Sequence, residues 1–182
     1  MIYALDANAL ITWSTGKPDP LDVHRLQNLF AVIGQARGRL VLCTPVLAEF
    51  FIRADQAAIG WLEELRLKRA SVVVAEFDVR AAMECAQMHL RAEVAGGKRA
   101  QANANEAYQK IKVDRQIVAI ALVHNAKYIV SGDQGLRVIA QANGLVAQSV
   151  ADLPIPDSAR QRQLDLAVGE SRPAAQLHIG SA

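Results

Sequence analysis

Residues 2–6 read Ile2-Tyr3-Ala4-Leu5-Asp6. Four apolar residues in a row, without alternation, describe a strand covered on both faces, as in a parallel sheet. The run stops at an acid. In open parallel sheets, ligands collect beyond the carboxyl ends of the strands, so Asp6 stands where chemistry is expected. Four more short apolar runs follow: Leu40-Val41-Leu42-Cys43, Ser71 to Phe77, Lys127 to Ser131 and Leu145 to Val150. Helical spacing fills the intervals. Leu26, Leu29, Phe30 and Ile33 share one face, as do Ala82, Met83, Ala86 and Leu90, and Asp114, Ile117, Val118, Ala121 and Leu122. Thr44-Pro45 opens a helix carrying Val46, Glu49, Phe50 and Arg53. Further helices are expected over Gln56 to Lys68 and Leu136 to Gln141, while Gly16, Pro18 and Pro20 keep helix out of the loop from Ser14 to Pro20. Strands alternating with helices predict an α/β fold with a mostly parallel five-stranded sheet covered on both faces.

Composition narrows the class. The chain has 182 residues, 20 of them basic and 18 acidic, for a formal charge of +2. That balance excludes a strongly basic nucleic-acid coat and an acidic disordered chain. Two cysteines, Cys43 and Cys85, cannot build a disulfide framework or a zinc cluster. They fit a reduced, cytoplasmic protein. No signal peptide and no apolar run of membrane-spanning length is visible, so no membrane association is expected. Residues 1–152 are expected to form one domain. Pro154 and Pro156 then open a polar tail, 153–182, with a small apolar cluster at Leu164, Leu166 and Val168. The tail is expected to be flexible or to bind a partner.

Four acids fall near one edge of the predicted sheet. Asp6 ends the first strand and Asp133 follows the fourth; Glu49 and Asp114 lie on helical turns expected near the same edge. Each has an ordinary alternative. Asp6 could cap a turn, Asp133 could serve the turn at Gly132, Asp114 could favour a helix start, and Glu49 could pair with Arg53. Converging carboxylates either take up protons or are neutralised by a hard divalent cation, for which oxygen ligands suit Mg²⁺ or Mn²⁺.

The stretch Asp6-Ala7-Asn8-Ala9-Leu10-Ile11 resembles the opening motif of PIN-domain ribonucleases. Thr44-Pro45-Val46-Leu47-Ala48-Glu49-Phe50, Asp114-Arg115-Gln116-Ile117-Val118-Ala119-Ile120-Ala121 and Tyr128-Ile129-Val130-Ser131-Gly132-Asp133 resemble its second, third and fourth motifs, in order, over residues 2–150. The subgroup it looks like is the VapC-type toxin of type II toxin–antitoxin pairs. In place of the further Asp and Phe that close the family's last motif, this chain has Gln134, Gly135 and Leu136.

The resemblance implies a three-layer α/β/α sandwich and a metal-dependent endoribonuclease. Asp6, Glu49, Asp114 and Asp133 would be both catalytic and metal-binding, holding one or two Mg²⁺ or Mn²⁺ ions. Asn8 and Ser131 would orient Asp6 or a water. A cognate antitoxin and a homodimer are the partners it implies. For the RNA itself, Lys98, Arg99, Lys110, Lys112 and Arg115 are expected to form a basic wall, since residues 91–115 hold six basic groups against three acidic. Two alternatives stand beside this. One is a phosphatase with an aspartate nucleophile, disfavoured because residue 8 is Asn. The other is a non-catalytic PIN-like module binding RNA or protein.

Overall fold

A computed structural model describes residues 1–15, 20–53, 60, 71–103 and 105–156. Five short strands form one sheet: β1 (Ile2–Leu5), β2 (Arg39–Cys43), β3 (Val72–Ala75), β4 (Tyr128–Val130) and β5 (Val146–Gln148). Their order is β3-β2-β1-β4-β5, and every neighbouring pair is parallel. Strand β1 is therefore central. Leu5 is in register with Leu42 on one side and Val130 on the other. The chain leaves β1, β2 and β4 at one level, so whatever follows Leu5, Leu42 and Val130 is brought to a common edge.

Helices cover both faces, making a three-layer α/β/α sandwich. They are α1 (Ala7–Thr15), α2 (Pro20–Gln35), α3 (Thr44–Arg53), α4 (Val79–Val94), α5 (Tyr108–Val123) and α6 (Gln134–Ala142), with a 3₁₀ turn at Val150–Asp152. β1 has the bounds expected from the sequence, and the ends of the other strands differ from expectation by at most two residues. The helix at Ala7–Thr15 was not expected, because it follows β1 directly with no connecting turn. Its start is set by Asp6, whose Oδ1 accepts the Ala7 amide at 2.7 Å. Trp13 then packs edge-on against Phe30, with ring centroids 4.1 Å apart, joining α1 to α2.

Helix α5 fills the interior, packed between α4 and α6. It buries Ile111, Asp114, Arg115 and every residue from Ile117 to Ala121. Helix α4 is amphipathic instead. Asp78 caps it by accepting the Ala81 amide. Its inner face is Ala81, Cys85, Met88 and Ala92. Its outer face exposes Val79, Met83, Leu90 and Val94 at 61–90%. Both cysteines are free and buried, and burial pushes the Cys43 thiol up to about 12, so it stays protonated. The core extends to Leu153, and Asn28 Nδ2 donates to the Pro154 carbonyl at 3.2 Å. The expected helix over Gln56 to Lys68, apart from residue 60, and the cluster Leu164, Leu166 and Val168 lie outside the described residues. Among the described residues no helix is long and apolar enough to cross a membrane.

Candidate active site

The common edge of β1 and β4 carries two of the four acids. Asp6 is only 5% exposed. Its Oδ1 accepts the Ala7 amide, and its Oδ2 accepts the Ser131 hydroxyl at 2.7 Å. Burial raises its pKa, against these two hydrogen bonds, and the charges of Glu49 and Asp133 push the same way. Ser131 is fully buried, and its Oγ also accepts the Asp133 amide at 2.9 Å. One hydroxyl thus ties the two acids together. Asn8 is exposed and makes no hydrogen bond to Asp6 among the described residues. It stands beside Gly132, where an added Cβ would meet its side chain at ordinary contact distance.

Asp133 serves two neighbours. Its Oδ1 caps α6 by accepting the amides of Gly135 (2.7 Å) and Leu136 (3.3 Å). Its Oδ2 lies 2.8 Å from Lys110 Nζ. Burial works against its charge, but the Lys110 bond and the α6 amides outweigh it and lower its pKa. Asp114 is 6% exposed, and its Oδ2 also lies 2.8 Å from Lys110 Nζ. There burial wins: despite the lysine, the carboxyl is pushed up to about 6. Glu49, on α3, is half-exposed and paired with Arg53 at 3.0 Å. It is close enough to Asp6 to act on it electrostatically.

A fifth acid joins them, one that was not singled out in the sequence. Glu106 Oε2 lies 2.7 Å from Lys110 Nζ. Its only sequence signal is the ladder Glu106, Lys110, Asp114, spaced at i, i+4, i+8 along one helical face. The ammonium of Lys110 is therefore held by three carboxylates. Burial alone would lower its pKa, but these bonds raise it, so the group is a permanent cation.

The basic wall is corrected in two places. Arg115 is 1% exposed. Its guanidinium bonds the Ala100 carbonyl (3.0 Å) and meets His89 Nδ1 at 2.7 Å. It faces α4 and the loop after it rather than solvent, because α5 is covered on nearly all sides. Lys110 is occupied by the acids. Lys98 and Lys112 do stand together, 4.9 and 5.8 Å from the centroid of the Tyr108 ring. Arg99 is exposed and braces its own loop by bonding the Glu106 carbonyl at 2.6 Å.

As placed, no three His, Cys, Asp or Glu side chains among the described residues are gathered tightly enough to hold a metal ion. The donor chemistry nevertheless suits one. The acids offer only carboxylate oxygens, burial and then neighbouring charge raise Asp6 and Asp114, and the Lys110 cation sits against Glu106, Asp114 and Asp133.

The molecule is an α/β/α sandwich with acids at the carboxyl edge of its central strands, where open α/β sheets bind their ligands. The PIN domain model matches residues 3–142, and the chain belongs to that family. No curated protein matches its sequence. Among solved structures it is similar to VapBC2 from Rickettsia felis bound to a promoter DNA fragment, with TM-score 0.54 and 16% identity, covering 82% of this chain and 98% of that one. It is also similar to DNA-bound VapBC from Salmonella typhimurium, with TM-score 0.51 and 17% identity over 82% and 98% of the two chains. A third is VapBC-1 from nontypeable Haemophilus influenzae, with TM-score 0.52 and 18% identity over 84% and 100%. At these identities the likeness is one of fold.

Proposed function

We propose that this chain is a Mg²⁺- or Mn²⁺-dependent endoribonuclease, the toxin of a toxin–antitoxin pair acting in the cytoplasm. What supports the proposal most is a PIN sheet beside whose carboxyl edge Asp6 feels the charges of Glu49 and Asp133, and Asp114 that of Asp133. These four would hold the metal, which when bound supplies a water of lowered pKa and stabilises charge on the scissile phosphate. The chain's own residues do the rest. Ser131 fixes the rotamer of Asp6 and the backbone of Asp133 together. Lys98 and Lys112, both over the Tyr108 ring, would present charge to the phosphate backbone.

The likeness to VapBC structures supports an antitoxin partner. A homodimer is supported by the outer face of α4. About a two-fold axis at Ala86 and Gln87, an antiparallel copy sets Val79 against Val94 and Met83 against Leu90, with Arg80 opposite Glu93. Across that axis the stripe sets apolar residues against apolar ones and a basic residue against an acidic one.

The deciding experiment is cleavage of RNA by the purified protein with Mn²⁺. Asp6→Asn and Asp114→Asn should each abolish it, and chelation should abolish it in the wild type. Products should carry 5′-phosphates. Undiminished cleavage in both variants would discard this site, and no Mn²⁺ binding with no products would favour a non-catalytic module.

A further inference from the structure

Glu106 lies in the loop before α5, and its side chain turns inward to Lys110. It is only 16% exposed. Its place is made by Gly135, where a Cβ would collide with the Glu106 carboxyl group. Gly135 has no left-handed backbone to justify a glycine. Within a helix glycine is disfavoured relative to alanine. Admission of the Glu106 carboxylate accounts for it.

Lys110 Nζ lies 2.7 Å from Glu106 Oε2, 2.8 Å from Asp114 Oδ2 and 2.8 Å from Asp133 Oδ2. Three carboxylates, from a loop, a helix and a strand–helix junction, thus surround one point. The lysine side chain is 39% exposed, so that point is open to solvent on one side. The ammonium fills that point, and as placed no group of acids among the described residues could hold a metal ion.

We infer that the Lys110 ammonium marks a cation position whose carboxylates include Glu106, and that Lys110 is its resident occupant until a divalent cation displaces it. This rests on the metal-dependent activity proposed above. The exchange makes and breaks no covalent bond. Once displaced, Lys110 keeps its charge and stays tethered to α5 beside the site, where a substrate phosphate would meet it.

The test is Mn²⁺ titration of the full chain without RNA, followed by calorimetry and by the electron-spin signal of free Mn²⁺. Lys110→Met should bind Mn²⁺ about tenfold more tightly, having lost a competing charge. Glu106→Gln should bind about 10–100-fold more weakly. Gly135→Ala should weaken binding similarly, and should add little to Glu106→Gln because both remove the same carboxylate. Should Lys110→Met fail to fold by circular dichroism, the other two variants decide. If Asp6→Asn weakens Mn²⁺ binding while Glu106→Gln and Gly135→Ala leave it within about twofold of wild type, the inference falls and the nuclease proposal stands. If the wild type binds no Mn²⁺ and cuts no RNA, both fall.

Discussion

Ser131 Oγ and Asp6 Oδ2 meet at 2.7 Å across a sequence separation of 125 residues. The same oxygen accepts the amide of Asp133. A single buried hydroxyl therefore sets the distance between the acid after β1 and the acid after β4. Ser131→Ala would leave Asp6 Oδ2 and the Asp133 amide without this partner, at a cost of about 1–3 kcal/mol. The expected outcome is a lower melting temperature together with about 10–100-fold weaker Mn²⁺ binding. Parallel melts and titrations check it. Loss of stability with unchanged binding would show that the hydroxyl serves the fold alone.

Asp114 supplies a pH dependence. Its folded pKa, about 6, lies above its ordinary value. Between the two values the native state binds more protons than the unfolded one, so stability falls as pH rises through about 6. Asp114→Asn removes that liability. Relative to wild type, the metal-free variant should gain about 1–3 kcal/mol between pH 4 and pH 7.5. Urea unfolding at the two pH values measures it, and an equal offset at both would contradict the assignment. Metal binding should run the other way, with Mn²⁺ affinity falling as pH drops through about 6.

Arg115 predicts a change in a neighbour. Burial lowers the pKa of His89, and the charges of Arg115 and Lys112 lower it further. Arg115→Met should move the imidazole pKa upward, as followed by the proton NMR shift of its ring. It should also free the Ala100 carbonyl and speed proteolysis within residues 95–103. An unmoved His89 titration would mean that the 2.7 Å contact is absent in solution.

The apolar stripe on α4 predicts a specific loss of assembly. Leu90→Asp places charge opposite Met83 of the partner copy in the antiparallel arrangement. Sedimentation should show a dimer for wild type and a monomer for the variant, with RNA cleavage per site altered far less than by Asp6→Asn. A wild-type monomer at about 100 μM, where weak dimers with micromolar dissociation constants would assemble, would remove the homodimer.

Much of this architecture was readable because the three central strands, β1, β2 and β4, are largely buried on both faces, and such a strand is written as an uninterrupted apolar run. The acids that follow such runs, Asp6 and Asp133, were placed by the same logic. Arg115 misled because adjacency to Asp114 was taken as adjacency in function. Successive residues on a helix point about 100° apart, and on a helix buried nearly all round, both directions lead inward. Lys110 misled in the opposite sense. Its i, i+4 relation to Asp114 was present in the sequence, but a count of charges over residues 91–115 cannot distinguish a lysine facing solvent from one facing acids. Glu106 belonged to the same ladder and was lost in a polar, alanine-rich loop. What revealed it was a missing atom, the Cβ of Gly135, which only the folded chain brings next to it.

The central place of β1 has a consequence for how the molecule comes into being. Its partners are β2, which follows closely in the chain, and β4, which is made more than a hundred residues later. While the chain is being synthesised, one edge of β1 stays open and Asp6 stands without Ser131 or Asp133. The carboxylates are gathered only once residue 133 has emerged and β4 has docked. In a protein of this topology the acidic edge is therefore incomplete until β4 has been made and has paired with β1.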